Sequence, residues 1–503
     1  MDFFAQLPAL PVVVPFVAAP MALLMPPGRI PWLWAVLVSW VSFGLSLLLL
    51  EQVWVNGPVT YAMGGWAAPL GIIYYIDLAN ALVLSLVTGI AAVVFPYAYN
   101  SVRDEINHGQ TPGFYTALLL CLAGLIGVTM TGDAFNVFVF LEVSSLATYT
   151  LVAMGAGRDR RALTAAFNYL VMGTIGATFF VIGIGLLYQA TGTLNMLDLH
   201  ERLAGQDNRL VKAAFAFIIT GLGLKLAMLP LHLWLPPAYT YAPSAITAFL
   251  AATATKVAVY IMLRFLFTVF GFDFPFLKVA LDFFLVLGIA GMFIASLAAV
   301  FQDDVKMLLA YSSVAQIGYM LLGISLGTVD GVAASLIHVV NHAFIKAALF
   351  MAVGIVVLRL GSHQLRAFQG LATRMPWTSW GIVVAGLSLV GVPATVGFVS
   401  KFALLSAVFA KGGTMEIIAG FLILASSLLA VIYMMRVIKV MLQPVPTDGP
   451  FAGPVAAPPL TMRLMLWIMV GVNIYFGLQA QPVIAIAQKA AATLLGVDSG
   501  EAF

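Results

Sequence analysis

The sequence predicts an all-α polytopic membrane protein with about fourteen transmembrane helices. Three observations carry that expectation. Of its 503 residues, 62% are hydrophobic and only 9% are charged, against about 45–50% and about 25% in soluble globular chains. Mean hydropathy is +1.05. Apolar runs of the roughly 20 residues needed to cross a bilayer recur along the whole chain.

Taken in order, the expected spans are 8–26, 31–50, 76–99, 114–131, 134–155, 162–190, 212–240, 243–269, 278–300, 305–327, 330–359, 377–409, 415–440 and 461–480. The opening MDFFAQLPALPVVVPFVAAP has no basic n-region, so it reads as a retained first helix rather than a cleaved signal peptide. The link TGDAF at 131–135 separates two spans by very few residues. LQPVPTDGPFAGPVAAPP at 442–459 is rich in Pro and Gly and reads as an irregular loop joining the last span to the bundle. The tail PVIAIAQKAAATLLG at 482–496 reads as a short amphipathic or half-inserted helix. No segment reads as a separate soluble domain.

Charge and cysteine content exclude several function classes. Net charge is +3 and the charges are scattered, which gives no nucleic-acid footprint. The single cysteine, Cys121, can form neither an internal disulfide nor an iron–sulfur site. With the N-terminus outside, twelve Lys and Arg fall in inside loops and seven in outside ones. Arg264 is counted outside and Lys306 inside. That bias gives N-terminus-outside topology, and the expected location is a bacterial cell (inner) membrane.

Four lysines remain, all well inside apolar spans: Lys225, Lys256, Lys346 and Lys401. Glu142, in FNVFVFLEVSSLATYTLVAMG, is the acid so placed, and His232, His338 and His342 accompany them. A charge at the bilayer centre costs about 2.5–3.5 kcal/mol on insertion scales. A lysine near a helix end can snorkel to the interface, as Lys411 and Lys439 are expected to do. Lys225 lies about thirteen residues, roughly 20 Å, from the start of its span and is too deep for that. A static Glu142–Lys225 pair is a second reading, but one acid cannot neutralise four lysines. Burial favours the neutral amine and a nearby carboxylate favours the ammonium, so a lysine with a conditional partner is a proton switch.

His338, His342 and Lys346 follow at i, i+4 and i+8, about 6 Å apart along one face of one helix. Histidine titrates near neutral pH. Two histidines and a lysine on one intramembrane stripe favour a relay over core packing, and no third ligand in that helix completes a metal site.

Two spans are interrupted. Pro230 follows Lys225, with His232, Pro236, Pro237 and Pro243 beyond it. In LSLVGVPATVGFVSKFALL, Gly391, Pro393 and Gly397 precede Lys401. Proline removes a backbone hydrogen bond and breaks the helix. Irregular backbone at membrane depth is tolerated where it is buried in protein or lines a wet cavity. One such segment in each half of the chain points to an inverted-repeat transporter.

Five strings carry a resemblance: TGDAFNVFVFLEVSSLATY, KLAMLPLHLWLPPAYTYAPSAITAFLAATATK, DDVKMLLAYSSVAQIGYM, HVVNHAFIKAALF and GVPATVGFVSK. Together they resemble the antiporter-like subunits shared by Mrp-type multisubunit cation/proton antiporters, respiratory complex I and membrane-bound hydrogenases. The Mrp D subunit is the nearest likeness, on chain length, the lysine at 401 and the absence of a long C-terminal lateral helix. The resemblance implies two inverted five-helix repeats, each with a broken helix. Residues 114–270 would be the first repeat (helices 4–8) and 271–441 the second (helices 9–13). Helices 1–3 (1–113) would precede them, and the Pro-rich loop, last helix and tail (442–503) would follow. It implies a charge-switching pair in Glu142 and Lys225, a bridge in Lys256, a midplane path through His338, His342 and Lys346, and a terminal lysine in Lys401. Pro237 stands where some members carry an acid, and Tyr239 where some carry His.

The implied function is proton translocation within a multisubunit Na+/H+ or K+/H+ antiporter, in the bilayer, with other membrane subunits as partners. The alternative is the proton-pumping membrane subunit of a complex I-type NADH:quinone oxidoreductase or a membrane-bound hydrogenase. The chain has no flavin, nicotinamide or cluster motif, so it reads as a transporter subunit with no cofactor, and a redox centre would lie in partners. An independent solute transporter would need a substrate pocket at the break, for which Trp234, Tyr239 and Tyr241 are the candidates.

Overall fold

A computed structural model describes residues 3–497. Each long apolar run becomes a helix because, in hydrocarbon, only intrasegment bonds satisfy the backbone. After a single helical turn at Phe3–Gln6, the first long helices are α1 (Leu10–Leu23) and α2 (Arg29–Asn56). A β-hairpin follows, β1 (Val59–Ala62) pairing antiparallel with β2 (Ile73–Ile76). Next come α3 (Leu78–Glu105), α4 (Thr111–Met130), α5 (Ala134–Ala153) and α6 (Arg161–Thr191). Short α7 (Met196–Leu203) precedes an interrupted pair, α8 (Arg209–Leu226) and α9 (Leu235–Tyr241). After α10 (Ser244–Leu263), α11 (Leu277–Val300), α12 (Val305–Ser325) and α13 (Val329–Leu360) comes a second interrupted pair, α14 (Pro376–Val390) and α15 (Val396–Lys411). The chain closes with α16 (Thr414–Leu442), α17 (Leu460–Leu478) and α18 (Gln481–Leu495).

Eleven helices among the described residues are long and apolar enough to cross a membrane. The other three expected spans fall on α1, only 14 residues long, and on the two interrupted pairs. The expected irregular loop is present, with no helix or strand from 443 to 459. The tail forms α18. The hairpin and α7 were not expected from hydropathy. Both are too short and too polar or Gly-rich to stand out in a 20-residue window.

Successive spans alternate direction, so the connections fall on two faces. One, here the hairpin face, carries β1–β2, Thr131–Asp133 and the link from α6 to α8. The other, the Arg158 face, carries the α5–α6, α9–α10, α11–α12 and α13–α14 links.

A local device recurs once on each face. Asp133 caps α5, accepting from the Asn136 amide at 2.7 Å, and bridges in antiparallel fashion to Asn195 beyond α6. Asp304 caps α12, accepting from the Met307 amide at 3.1 Å, and bridges to Gln364 beyond α13. An aspartate side chain satisfies amides that a helix start leaves open. The same cap and bridge thus appear on opposite faces in the two halves of the bundle.

Close approach of helices depends on small residues. A Cβ on Gly221 of α8 would lie 2.5 Å from the Gly176 carbonyl of α6. That contact sets the register of the helix that carries Lys225.

Candidate functional site

The first break places Lys225 in the last turn of α8. Ala227 takes a left-handed conformation (φ 61°) and ends the helix, and α9 resumes at Leu235. The Leu224 carbonyl, which loses its usual helical partner at the break and accepts from the Ala227 amide at 3.2 Å, also accepts from Trp234 Nε1 at 2.9 Å. Trp234 in turn stacks on Tyr169, ring centroids 4.1 Å apart. The negative end of α8 favours a cation at Lys225. Lys225 Nζ lies 3.3 Å from Glu142 Oε1 and donates to Ser145 Oγ at 2.9 Å. Glu142 and Ser145 sit one turn apart on α5, so both face the same ammonium. The Lys225 side chain is 8% exposed and that of Glu142 24%. Among the described residues, Lys225 is the one of the four intramembrane lysines with a carboxylate partner.

His232 lies in the break, buried, its ring centroid 6.4 Å from that of Tyr311. Its Nδ1 makes no hydrogen bond within the protein. The Leu224 carbonyl is held by Trp234 rather than by this histidine.

Lys256, on α10, is fully buried. Its ammonium turns back along its own helix to the Ala251 carbonyl, with Thr255 Oγ1 at 3.3 Å. Helix α10 packs against α13, where His338, His342 and Lys346 line one stripe as their spacing predicts. The two imidazoles are parallel, with centroids 6.0 Å apart. His338 Nδ1 meets Ser400 Oγ at 2.9 Å. His338 Nε2 and both nitrogens of His342 are buried with no hydrogen bond within the protein. Lys346 Nζ donates to the Leu309 carbonyl at 2.8 Å and to Ser312 Oγ.

The second break is built differently. Gly391 (φ 97°) ends α14, Ala394 is also left-handed (φ 68°), and α15 starts at Val396, so Pro393 sits in the gap. A Cβ on Gly397 would fall 1.7 Å from the Ser388 carbonyl, so the two stubs meet only because that position is glycine. Lys401 Nζ donates to the freed carbonyls of Leu389 (3.2 Å) and Val390 (2.9 Å) and to Ser427 Oγ (3.2 Å). It also lies 5.1 Å from the centre of the Tyr319 ring, which is 5.6 Å from His338.

The structure therefore groups His338, His342 and Lys401 through Ser400 and Tyr319, with Lys346 on the same stripe and Lys256 on the adjoining helix. Glu142 and Lys225 form a separate pair at the first break. Imidazole donates and accepts at once, and a hydroxyl does the same, so these are groups able to hand protons on. Sequence reasoning missed the hydroxyls Ser145, Ser312, Ser400 and Ser427 and the ring of Tyr319. Only Ser400, next to Lys401, carried a local hint.

Two basic residues assigned to loops are in fact buried. Arg264 is 4% exposed and paired with Asp77, and Lys306 is 2% exposed and donates to the Ala242 carbonyl at 3.1 Å. Both lie near span ends, where hydropathy cannot tell a side chain reaching outward from one turned into the bundle.

Residues 131–430 match the family described as NADH:quinone oxidoreductase/Mrp antiporter, transmembrane. The chain belongs to this family. It is 39% identical over 441 residues to the N subunit of the NADH-quinone oxidoreductase of Desulforudis audaxviator, covering 86% of each. It is 32% identical over 406 residues to the D subunit of the Na(+)/H(+) antiporter of Alkalihalophilus pseudofirmus, covering 80% of each. Among solved structures, a chain of the Mrp complex from Dietzia sp. DQ12-45-1b superposes with TM-score 0.88 at 26% identity, covering 98% of each chain. A chain of an archaeal membrane-bound sulfane sulfur reductase also gives 0.88, at 29% identity, covering 97% of this chain and 98% of that one. As a member of this family, the protein is an antiporter-like membrane subunit, related to subunits of multisubunit complexes.

Proposed function

We propose that this chain is the proton-translocating subunit of a multisubunit monovalent cation/proton antiporter of the Mrp D kind. The observation that carries the reading is the Glu142–Lys225–Ser145 contact at a helix break. There a buried amine has one carboxylate partner and a hydroxyl ready to replace it. Protons move along Lys256, Lys346, His342, His338 and Lys401 near the membrane midplane. Charge arriving on Lys256 disfavours the ammonium of Lys225 and loosens its hold on Glu142. A change of one pKa unit corresponds to about 1.4 kcal/mol, so stepwise coupling needs no large helix movement. Residues 114–270 and 271–441 act as the two inverted repeats, with breaks at Pro230 and Pro393. The N-terminus faces outside the bacterial inner membrane. The exchanged ion is Na+ or K+, handled by the complex as a whole.

The 39% identity to an N subunit of NADH-quinone oxidoreductase supports a second reading, the proton-pumping membrane subunit of a complex I-type enzyme. Any redox chemistry then belongs to partner subunits. Purifying the complex that contains this chain and measuring cation-driven proton flux in vesicles separates the two. Small antiporter subunits and sodium- or potassium-driven flux support the first reading. Quinone-reducing partners and flux that needs electron transfer support the second.

A further inference from the structure

The helix carrying Lys256 continues toward the hairpin face with two more polar groups at the same spacing. Tyr260 follows at i+4 and Arg264 at i+8, stacked on one side of α10. Both are buried, Tyr260 at 2% and Arg264 at 4% exposure. Arg264 begins a π-helical turn, Arg264–Val269, that extends α10. Its Nη2 pairs with Asp77 Oδ1, the aspartate that caps α3 just after the hairpin. Its Nε donates to the Tyr260 hydroxyl at 2.9 Å. That hydroxyl donates to the Thr129 carbonyl at 3.0 Å. The proton path from Lys256 to Lys401 uses none of these groups.

We propose that the buried Arg264–Asp77 pair is a fixed plug that closes the Lys256 station to the hairpin face and keeps protons from escaping there. The inference rests on the reading of Lys256 as a proton station. A guanidinium stays protonated in proteins, so it cannot accept and release protons as a relay must. With the Asp77 carboxylate against it the unit is close to neutral overall, so it blocks by giving a hydrated proton no group that both takes up and releases one, rather than by net repulsion. Arg264 stands eight residues, about 12 Å, from Lys256 along the helix. Tyr260, the group between them, is held out of a wire. A relaying hydroxyl must take a proton on one side and give one up on the other. This one gives its hydrogen bond to a backbone carbonyl and takes one from an N–H that does not let go. Lys256 itself points the other way, toward Ala251. The buried pair is thus an insulator at the blind end of a polar stripe whose other end is a station.

The test uses the membrane complex that carries this chain, reconstituted in liposomes. A pH gradient is imposed without the exchanged cation, and its collapse is followed with an enclosed pH-sensitive dye. Arg264→Gln is expected to collapse the gradient several-fold faster than wild type, while Arg264→Lys, which keeps the cation, stays tight. Tyr260→Phe is expected to keep both wild-type tightness and wild-type driven flux. A complex with Arg264→Gln that is as tight as wild type overturns the proposal. So does an Arg264→Lys complex that leaks like Arg264→Gln. Loss of driven flux in Tyr260→Phe also overturns it, because the hydroxyl would then be part of the wire. That arm decides the matter even if Arg264→Gln fails to assemble. Lys225→Ala separates the two claims. It should lose driven flux without leaking, and driven flux that persists there refutes the proposed function rather than the plug.

Discussion

The two helix breaks solve the same problem in different ways. Each leaves backbone carbonyls open at membrane depth and each has a lysine beside it. At the first, the Trp234 indole and the Ala227 amide take the Leu224 carbonyl, which leaves Lys225 for Glu142 and Ser145. At the second, Lys401 takes the freed carbonyls of Leu389 and Val390 itself, with Ser427 in support. Lys225 precedes its break and Lys401 follows its own. The first lysine is therefore held by a charge and the second by dipoles. A carboxylate holds an ammonium strongly and lets go when the local field changes. Carbonyls accept from either the ammonium or the neutral amine, since both carry N–H groups. Under the proposed function, that difference suits Lys225 to switching and Lys401 to loading and unloading at an end station.

This contrast can be broken experimentally, starting with the largest expected effect. Glu142→Gln removes the charge and keeps the shape. Cation-driven proton flux in reconstituted complex should fall to near background, whereas flux close to wild type would dissolve the distinction between the breaks. Lys401→Ala should also abolish driven flux while the complex still assembles, checked by co-purification. Its freed carbonyls are left bare, so thermal stability should drop more than in Glu142→Gln. Ser145→Ala deletes a hydrogen bond to a charged group, worth about 1.5–3 kcal/mol, so driven flux should fall about tenfold or more. Ser427→Ala leaves Lys401 with its two carbonyls and should cost about twofold, from roughly 0.5 kcal/mol. Equal losses at Ser145 and Ser427 would mean that both lysines are held alike.

The buried lysines, Glu142 and the three histidines were legible in the sequence because a charged or titratable group in an apolar run is anomalous whatever it packs against. The interruptions at Pro230 and Gly391–Pro393 were legible for a related reason, since Pro and Gly act on the local backbone. The partners were not. Ser145, Ser400 and Ser427 are unremarkable in membrane helices, and Ser400 lies 62 positions from the His338 it meets. Arg264 and Lys306 were misplaced because their direction is set by Asp77 and by the Ala242 carbonyl, contacts that only the folded bundle creates. The hairpin escaped notice because its strands are four residues each and the segment between them is rich in Gly and Pro. The paired aspartate caps, Asp133 and Asp304, lay in plain view, but their bridges to Asn195 and Gln364 make them a repeat only in three dimensions.

The central claim is that Lys225 is the switched cation. Its most direct test is cation-driven proton flux in liposomes containing the assembled complex with Lys225→Ala, beside wild type at equal protein content. The account predicts flux no greater than passive leak, with subunit composition unchanged. Wild-type flux from a fully assembled Lys225→Ala complex would contradict it.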